Sequence, residues 1–364
     1  MNLSEIETPA ILIDLDRMER NLRRAAEYAR EHDLRLRPHT KTHKIPALGR
    51  RQIESGAAGL TVAKVGEAEV MLASETPDLL VAYPIIGRSK LERLMQVARR
   101  ARVTVALDSA VAARQLSDAA REAQTAIAVL AEVDVGLGRV GVRPGEELEA
   151  LIRAIERLPW LSFEGLDFYP GHIRGAGEDS RQEIEKLSET VGSMLAGLKR
   201  AGLEPKIVSG GSTPTLFHSH LVAGVNEIRP GTYIFNDRNT AAAGACSFGD
   251  CAATILVTVV STARPGQIII DGGSKTFSSD RHGAAGEATF GHFAGAPEAV
   301  FHKMNEEHGY VDVRRAGRDF SVGDRLRVIP NHICVAMNLH ERVYGIRGET
   351  VETVWTVEGR GKLQ

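Results

Sequence analysis

The residues with the clearest chemical potential are Lys41 and its basic neighbours in the stretch RPHTKTHK, which directly follows a short alternating run, LRLR. A lysine at the end of a strand can lose its proton through desolvation or a neighbouring cation, and can then attack a carbonyl group. The stretch predicts a Schiff-base lysine at Lys41, with His39, His43 and Lys44 supplying the neighbouring charge. The competing interpretation is a solvated cluster of charges.

A second stretch, SGGSTPT at 209–215, has the composition of an anion-binding loop. Its two glycines allow backbone N–H groups to turn inward, and Ser212 and Thr213 add hydroxyl donors. An ordinary Gly/Ser turn is the simpler interpretation. A candidate Schiff-base lysine together with a phosphate cradle nevertheless suggests pyridoxal phosphate as the cofactor.

A third candidate is the pair His332 and Cys334 in PNHICVAMN. Two residues apart on a predicted strand, both side chains would point to the same face. An imidazole with a thiolate favours a first-row metal, zinc above all because sulfur is soft, and two protein ligands leave positions open for water or substrate. The alternative is a buried cysteine beside a histidine that is bonded to the backbone.

These residues need elements that bring them together, and the first 235 residues alternate strand-like with helix-like runs. The predicted strands are 10–15, 34–38, 60–63, 79–84, 103–108, 127–134, 163–170, 206–210 and 227–235. Amphipathic runs such as MERNLRRAAEYAREH lie between several of them. This α/β pattern predicts a (β/α)8 barrel, since no G-x-G-x-x-G follows the first strand as a dinucleotide fold would require. Nine strands are one too many, so the first is expected to pair elsewhere.

Barrel enzymes carry their chemistry at the carboxyl ends of the strands. Besides the two loops above, that rule nominates Arg139, Tyr169 and His172, together with Arg229 and Gly231. After about residue 240 the sequence becomes a series of strands divided by Gly, Pro and Asp. The predicted domains are therefore a cofactor-binding barrel at 1–240 and an all-β domain at 241–364 that carries the metal ligands.

Composition excludes several classes of function. The formal net charge is −2, so no basic face predicts nucleic acid binding. Apolar runs fall short of the roughly 20 residues that span a bilayer, and the N-terminus does not resemble a signal peptide. Three cysteines are too few for a disulfide framework, so a reducing cytoplasm is expected.

In order along the chain, RPHTKTHK, VGEAE, VGLGRVG, YPGH, SGGSTPT, RPGTY and PNHIC resemble the D-threonine aldolase and D-serine dehydratase family of alanine-racemase-like, fold-type III pyridoxal phosphate enzymes. The resemblance covers nearly the whole chain. It implies a (β/α)8 barrel with a C-terminal β domain, a homodimer, and a small D-amino acid as substrate.

The resemblance also implies roles for individual residues. Pyridoxal phosphate is expected on Lys41, with Arg139 at its phenolic oxygen, Tyr169 and Ser212 among its contacts, and Thr213, Gly231 and Thr232 around its phosphate. His332 and Cys334 are expected to hold a divalent metal ion, whether zinc, manganese or magnesium, near the substrate hydroxyl.

Two branches of the family remain open. His172 matches the base of the aldolases, whereas the His-x-Cys pair resembles the dehydratases. The main prediction is a lyase that cleaves a D-configured β-hydroxy amino acid to glycine and an aldehyde. The alternative is a D-serine or 3-hydroxyaspartate dehydratase that yields an oxo acid and ammonia. An amino-acid racemase or a non-catalytic pyridoxal phosphate carrier fits less well, because a racemase needs no metal and the carriers resemble the barrel alone.

Overall fold

The computed structural model describes residues 1–175, 178–283 and 289–364. Its strands are β1 Ala10–Asp14, β2 Arg35–Leu36, β3 Leu60–Val62, β4 Asp78–Val81, β5 Arg102–Leu107, β6 Ile127–Val133, β7 Leu161–Phe168, β8 Ile207–Gly210, β9 Glu227–Ile228, β10 Ala253–Arg264, β11 Gln267–Ile270, β12 Gly291–Phe293, β13 Val300–Met304, β14 Gly309–Asp312, β15 Arg325–Pro330, β16 Arg342–Arg347 and β17 Thr350–Thr356. Its helices are α1 Leu15–Glu31, α2 Pro46–Glu54, α3 Val65–Met71, α4 Arg88–Ala98, α5 Ala110–Ala123, α6 Glu146–Glu156, α7 Glu178–Arg200, α8 Arg238–Ala242, α9 Ser274–Phe277 and α10 Ile333–Leu339.

The chain forms two compact units. One comprises Met1–Leu22 with Thr232–Arg360, and the other comprises Arg23–Gly231 with Gly361–Gln364. The N-terminal segment thus belongs to the mostly-strand unit. Domain bounds of 1–240 and 241–364 remain a prediction.

The second unit is built on eight parallel strands in the order β2-β9-β8-β7-β6-β5-β4-β3. The two outermost strands of this order are β2 and β3. A parallel bridge joins His39, three residues after β2, to Thr61 in β3 and so connects the two edges of the sheet. The predicted (β/α)8 barrel is confirmed. Strands β3, β4 and β6 are buried along their whole length, which explains why they are continuous apolar runs in the sequence. Helices α3 to α7 cover them with their apolar faces, among them Leu94 and Ile152.

The first of the nine predicted strands, β1, pairs within the first unit. It runs antiparallel to β10 and parallel to β16 in a nine-stranded sheet. Its apolar residues Ile11, Leu12 and Ile13 are fully buried. This pairing with β10 and β16 agrees with the expectation that the first strand pairs outside the barrel.

The segment after β15 corrects one prediction. His332 and Cys334 were expected on a strand, but β15 ends at Pro330 and residues 333–339 form α10. The buried residues of that segment are Ile333, Ala336 and Met337, which have the spacing of one helical face. A short apolar run fits either element, and packing decides which one forms. None of the helices in the described ranges combines the length and the apolarity needed to cross a bilayer.

Candidate active site

Lys41 lies in a single 3₁₀ turn, Thr40–Thr42, directly after β2. The ring nitrogen Nδ1 of His39 accepts the backbone N–H of Lys41 at 3.3 Å and so caps the turn. Gly231, which follows β9, passes close beside it: a Cβ at Gly231 would lie 2.9 Å from Oγ1 of Thr42 and 3.1 Å from the His39 carbonyl oxygen. Any larger residue would displace the turn, so glycine at 231 helps to position Lys41.

Tyr169, the first residue after β7, brings two predicted site residues together. The Nζ of Lys41 lies 5.9 Å from the centre of the Tyr169 ring, and the Cζ of Arg139 lies 4.9 Å from it. Cations at these distances interact with the ring face. The aromatic ring thus joins an exposed lysine and an exposed guanidinium at the carboxyl ends of β2, β6 and β7.

The loop that carries Arg139 is shaped by Asp134. Its carboxylate accepts the N–H groups of Gly136 and Gly138, both at 3.0 Å, and these hydrogen bonds lower the pKa of Asp134. Gly136 and Gly138 have φ values of +120° and +69°, a region that side chains avoid. The glycines of VGLGRVG therefore fold this loop around one carboxylate.

His172 lies against the same loop. A Cβ on Gly136 would be 3.4 Å from Cε1 of His172, so the imidazole packs directly on the glycine backbone. Its Nδ1 is buried and finds no hydrogen-bond partner among the described residues. A half-buried imidazole at this position is a candidate general base.

The loop after β8 holds Ser212 and Thr213, both buried. Oγ of Ser212 lies 3.1 Å from Oγ1 of Thr215, whose hydroxyl also accepts the Ser212 N–H at 3.0 Å. Gly211 has a φ of +95°, so the chain turns there as glycine permits. The Ser212 hydroxyl is thus already engaged in one hydrogen bond that shapes the loop.

The neighbours that were predicted to place positive charge beside Lys41 are mostly uncharged or already paired. Burial lowers the pKa of His43 to about 4, although the ring contacts Gln52. Burial, followed by the charges of Lys41 and Arg229, also holds the pKa of His39 well below its usual range. Both histidines are therefore neutral at pH 7, and Lys44 is buried in an ion pair with Glu67 at 3.2 Å. The prediction that these residues supply the cationic neighbours is wrong for both histidines; Arg139 is the charge that shares Tyr169 with Lys41.

Beneath this region the barrel contains a buried set of charges that sequence reasoning missed. Arg229 lies 2.7 Å from Asp167, and it donates to Oγ of Ser209 at 2.6 Å and to the Phe168 carbonyl at 2.9 Å. Glu132 pairs in register with Asp167 across β6 and β7. Its Oε2 is buried without a hydrogen-bond partner in the described ranges. Burial and the neighbouring Asp167 raise the pKa of Glu132 to about 8. The only sequence signal was a glutamate inside the apolar run IAVLAEVD.

The mostly-strand unit contains the predicted His-Cys pair. His332 is the N-cap residue of α10 and Cys334 lies in its first turn. Nδ1 of His332 lies 2.9 Å from Oδ2 of Asp237, a fully buried carboxylate that also accepts the Ile333 N–H at 3.2 Å. Thr232, predicted to lie near a phosphate, has its Oγ1 3.9 Å from Sγ of Cys334.

Sequence reasoning missed Asp237. The stretch DRNT carries the signal of a capped helix, and Asp237 does form a capping box with Thr240. Nothing local relates Asp237 to His332, 95 residues away.

Comparison with known proteins identifies the chain. Residues 13–239 match the alanine racemase N-terminal domain, and residues 252–346 match a putative serine dehydratase domain. A D-threonine aldolase from Arthrobacter sp is 32% identical over 364 residues, which cover 99% of this chain and 94% of that enzyme. The chain belongs to the D-threonine aldolase and D-serine dehydratase family.

Relatives from both branches of this family match the chain. A D-threo-3-hydroxyaspartate dehydratase from Delftia sp. (strain HT23) is 34% identical, with 91% of this chain and 92% of that enzyme covered. The crystal structure of D-threonine aldolase from Filomicrobium marinum has a TM-score of 0.93 and 31% identity, and the match covers 100% of this chain and 98% of that one. The predicted family and lyase activity are confirmed. The roles of individual residues remain predictions.

Membership in this family supports pyridoxal phosphate as the cofactor. The barrel residues fit it: Lys41 offers an exposed amine, Arg139 a cation beside the Tyr169 ring, and the loop after β8 a buried hydroxyl-rich turn. Gly231 leaves room where a side chain would collide with the Lys41 turn.

The donor set in the other unit fits a divalent cation with open coordination positions. No group of three or more His, Cys, Asp or Glu side chains suited to a metal occurs within residues 1–175, 178–283 and 289–364. His332 and Cys334 provide two donors, and Asp237 orients the imidazole through Nδ1, as carboxylates commonly do behind a metal-bound histidine. Burial alone would lower the pKa of His332, but Cys334 and Asp237 raise it to about 11. Anionic groups that favour an imidazolium also favour a metal cation.

Proposed function

We propose that this protein is a pyridoxal phosphate- and metal-dependent lyase of the D-threonine aldolase type. Its substrate is a D-configured β-hydroxy amino acid, and its products are glycine and an aldehyde. Lys41 holds the cofactor, His332 and Cys334 hold a divalent cation, and His172 is the base. The names of the relatives, which include both aldolases and dehydratases, support this class of substrate.

The position of His172 is the observation that favours aldol cleavage over dehydration. Cleavage of the Cα–Cβ bond requires a base that removes the β-hydroxyl proton, and an imidazole suits that task near neutral pH. His172 is half-buried against Gly136, and its Nδ1 has no partner among the residues described. Contact with the loop backbone holds this half-buried ring in place, and its Nδ1 is not used by another residue in the described ranges.

The other residues of the proposed site would hold the cofactor and the cation or orient the groups that do so. When bound, pyridoxal phosphate supplies an electron sink for the pair left at Cα. A bound divalent cation acts as a Lewis acid on a hydroxyl oxygen. Asp237 lies 2.9 Å from Nδ1 of His332 and would orient the imidazole toward a cation that displaces the proton of the other ring nitrogen. Arg139, whose Cζ lies 4.9 Å from the centre of the Tyr169 ring, provides a guanidinium on the ring that Lys41 also approaches.

The dehydratase is the second candidate, and Cys334 favours it. By resemblance, a His-x-Cys pair belongs to the dehydratases and a His-x-Asp pair to the aldolases. In dehydration, Lys41 removes the α-proton and the β-hydroxyl leaves with its own proton, so His172 is not required as a base. Products are then an oxo acid and ammonia.

The nature of the metal and the assembly state are part of the proposal. A thiolate donor favours zinc, with manganese and magnesium as the harder alternatives. We also propose a homodimer in the cytoplasm, on the resemblance alone.

One product assay distinguishes the candidates. The purified protein with pyridoxal phosphate is incubated with D-threonine or D-serine in the presence of zinc, manganese or magnesium. Glycine from D-threonine is the expected result. An oxo acid from D-serine without glycine from D-threonine would favour the dehydratase, and neither product with any of the metals would exclude D-threonine and D-serine as substrates.

A second experiment tests Lys41. Borohydride reduction should fix the cofactor to the peptide that contains Lys41, and Lys41→Ala should lose that covalent link. Lys64→Ala is the matched control, because Lys64 is a half-buried lysine of the same barrel that contacts Tyr83 at 3.6 Å. Labelling of Lys44 or Lys64 in the unaltered protein would show that the attachment site is assigned wrongly.

A further inference from the structure

The second lysine of RPHTKTHK and the first glutamate of VGEAE form a buried ion pair. Nζ of Lys44 lies 3.2 Å from Oε1 of Glu67, and the two side chains are only 7% and 4% exposed. Lys44 follows the turn that contains Lys41, whereas Glu67 lies in the first turn of α3. A buried charge that loses its partner is strongly disfavoured, so each of these side chains holds the other in place.

The carboxylate of Glu67 is held from a second side by the backbone. Its Oε2 accepts the N–H of Ala63, the first residue after β3, at 2.7 Å. One oxygen of Glu67 therefore binds the connection between β3 and α3, while the other binds Lys44. A carboxylate that is fixed in this way can anchor the segment that follows Lys41.

Lys44 closes the turn that carries Lys41. Its backbone N–H donates to the Thr40 carbonyl at 2.8 Å. Its φ is +56°, a left-handed conformation that residues with a side chain rarely adopt. At the start of the turn, Oγ1 of Thr40 donates to the Thr61 carbonyl of β3 at 3.1 Å. Contacts with β3 and with the connection after it therefore hold both ends of the turn, and the ion pair with Glu67 retains an unfavourable backbone conformation.

The side chain of Lys41 itself is exposed, although Thr40 and Thr42 on either side of it are buried. Because an exposed side chain has few packing contacts, the position of its amine depends mainly on the backbone turn. A misplacement of about 1 Å at a reacting group can cost roughly 100-fold in rate. The contacts that fix the turn thus bear directly on the reactivity of Lys41.

We propose that Glu67 is a positioning residue for Lys41. Through its ion pair with Lys44, it fixes the turn from which the Lys41 amine reaches the aldehyde carbon of pyridoxal phosphate. The amine nitrogen bonds to that carbon, and the aldehyde oxygen leaves as water. This inference rests on the proposed function, because it takes Lys41 as the residue that holds the cofactor. In a purely structural role, the pair would stabilise the fold without changing how fast Lys41 reacts.

Two measurements on the full-length protein, freed of cofactor, separate these roles. The first is the rate at which saturating pyridoxal phosphate becomes fixed to Lys41, sampled by borohydride and located by peptide mass. The second is the affinity for pyridoxamine phosphate, which has the same ring and phosphate but no aldehyde. Glu67→Gln should slow attachment by roughly 10–100-fold and leave this affinity nearly unchanged. Attachment at the normal rate, or an equal loss in both measurements, would overturn the proposal.

The variants isolate the charge of Glu67. Glutamine keeps its shape and can still accept the Ala63 N–H, so Glu67→Gln removes little except the charge that faces Lys44. Glu69→Gln is the matched control, because Glu69 lies in the same helix and pairs with Arg93 at 2.6 Å at a half-exposed site. Slow attachment in this control would show that the effect is not specific to Glu67, and would overturn the proposal.

A double variant keeps the test decisive if Glu67→Gln does not fold. Lys44→Met combined with Glu67→Gln has no buried charge at this place, so it should fold even where the single variant does not. It should attach the cofactor as slowly as Glu67→Gln is expected to do. Normal attachment in the double variant would show that the ion pair does not position Lys41.

The unaltered protein distinguishes a failure of this inference from a failure of the proposed function. Attachment at Lys41 in the unaltered protein, at the same rate in Glu67→Gln, would overturn the role of Glu67 alone. Attachment to another lysine, or to none, would contradict the proposed function and the role of Glu67 with it.

Discussion

Replacing Glu132 by glutamine should change how the free energy of unfolding depends on pH. Glu132 is buried in β6 beside Asp167, and its Oε2 lacks a hydrogen-bond partner in the described part of the chain. Asp167 lies 2.7 Å from Arg229, whose charge opposes the rise in the Asp167 pKa that burial causes. Glu132 holds the proton that the pair retains, and its pKa is about 8.

The direction of this pH dependence follows from the number of protons bound by the folded and the unfolded chain. Between the ordinary glutamate pKa and about pH 8, the folded protein keeps a proton that the unfolded chain has lost. The free energy of unfolding must therefore fall as pH rises through that window. Each pH unit corresponds to about 1.4 kcal/mol, so the whole window has an upper bound of about 5 kcal/mol. Glu132→Gln keeps the shape but has no proton to lose, so this contribution disappears.

The measurement is urea unfolding of the unaltered protein and of Glu132→Gln from pH 5 to pH 9. The variant should gain stability relative to the unaltered protein as pH rises, and the gain should level off above about pH 8. Infrared difference spectra between the two should show a protonated carboxyl that disappears over the same range. Glu164→Gln, at a half-buried site in β7 paired with Lys206 at 3.4 Å, is the control. A stability difference that is equal at pH 6 and pH 9 would refute the assigned proton.

The other predictions concern the proposed active site. His172→Asn should lower aldol cleavage by roughly 10²–10⁴, the usual contribution of a general base, while exchange of the α-proton of glycine continues; near-normal cleavage would exclude His172. A chelator should abolish turnover but leave thermal unfolding nearly unchanged, because His332 and Cys334 cannot close a structural metal site; a loss of folding would reveal further ligands. Asp237→Asn should weaken metal binding by roughly 10–100-fold, measured by zinc titration against Asp134→Asn; unchanged affinity would show that Asp237 does not support the site.

The barrel could be predicted because its signals are local. Several barrel strands, among them β3 and β4, are largely apolar and buried, and the candidate site residues follow where barrel strands end. Lys41, Tyr169 and Gly210 are examples of residues placed in this way at the ends of β2, β7 and β8. Active sites of barrel enzymes lie at the carboxyl ends of the strands, so these residues could be nominated without knowing how the side chains pack.

The remaining features depend on contacts that are distant in sequence. Nothing near His332 indicates Asp237, and nothing near Glu132 indicates that Asp167 lies beside it. The helix at 333–339 was mistaken for a strand because ICVAMNL is short and apolar, and only burial of Ile333, Ala336 and Met337 reveals its period.

The histidines of RPHTKTHK show how burial reverses an expectation about charge. In the sequence they read as cations next to Lys41, yet His43 is fully buried and its pKa is about 4, while that of His39 lies well below its usual range. His43 is therefore uncharged between pH 6 and pH 8, and the lowered pKa of His39 likewise disfavours its charged form. The histidines thus do not supply the positive charge beside Lys41 at pH 7. A step in activity near pH 8 would match the pKa of Glu132 in its buried pair with Asp167 and would not match the lowered pKa values of the histidines beside the lysine.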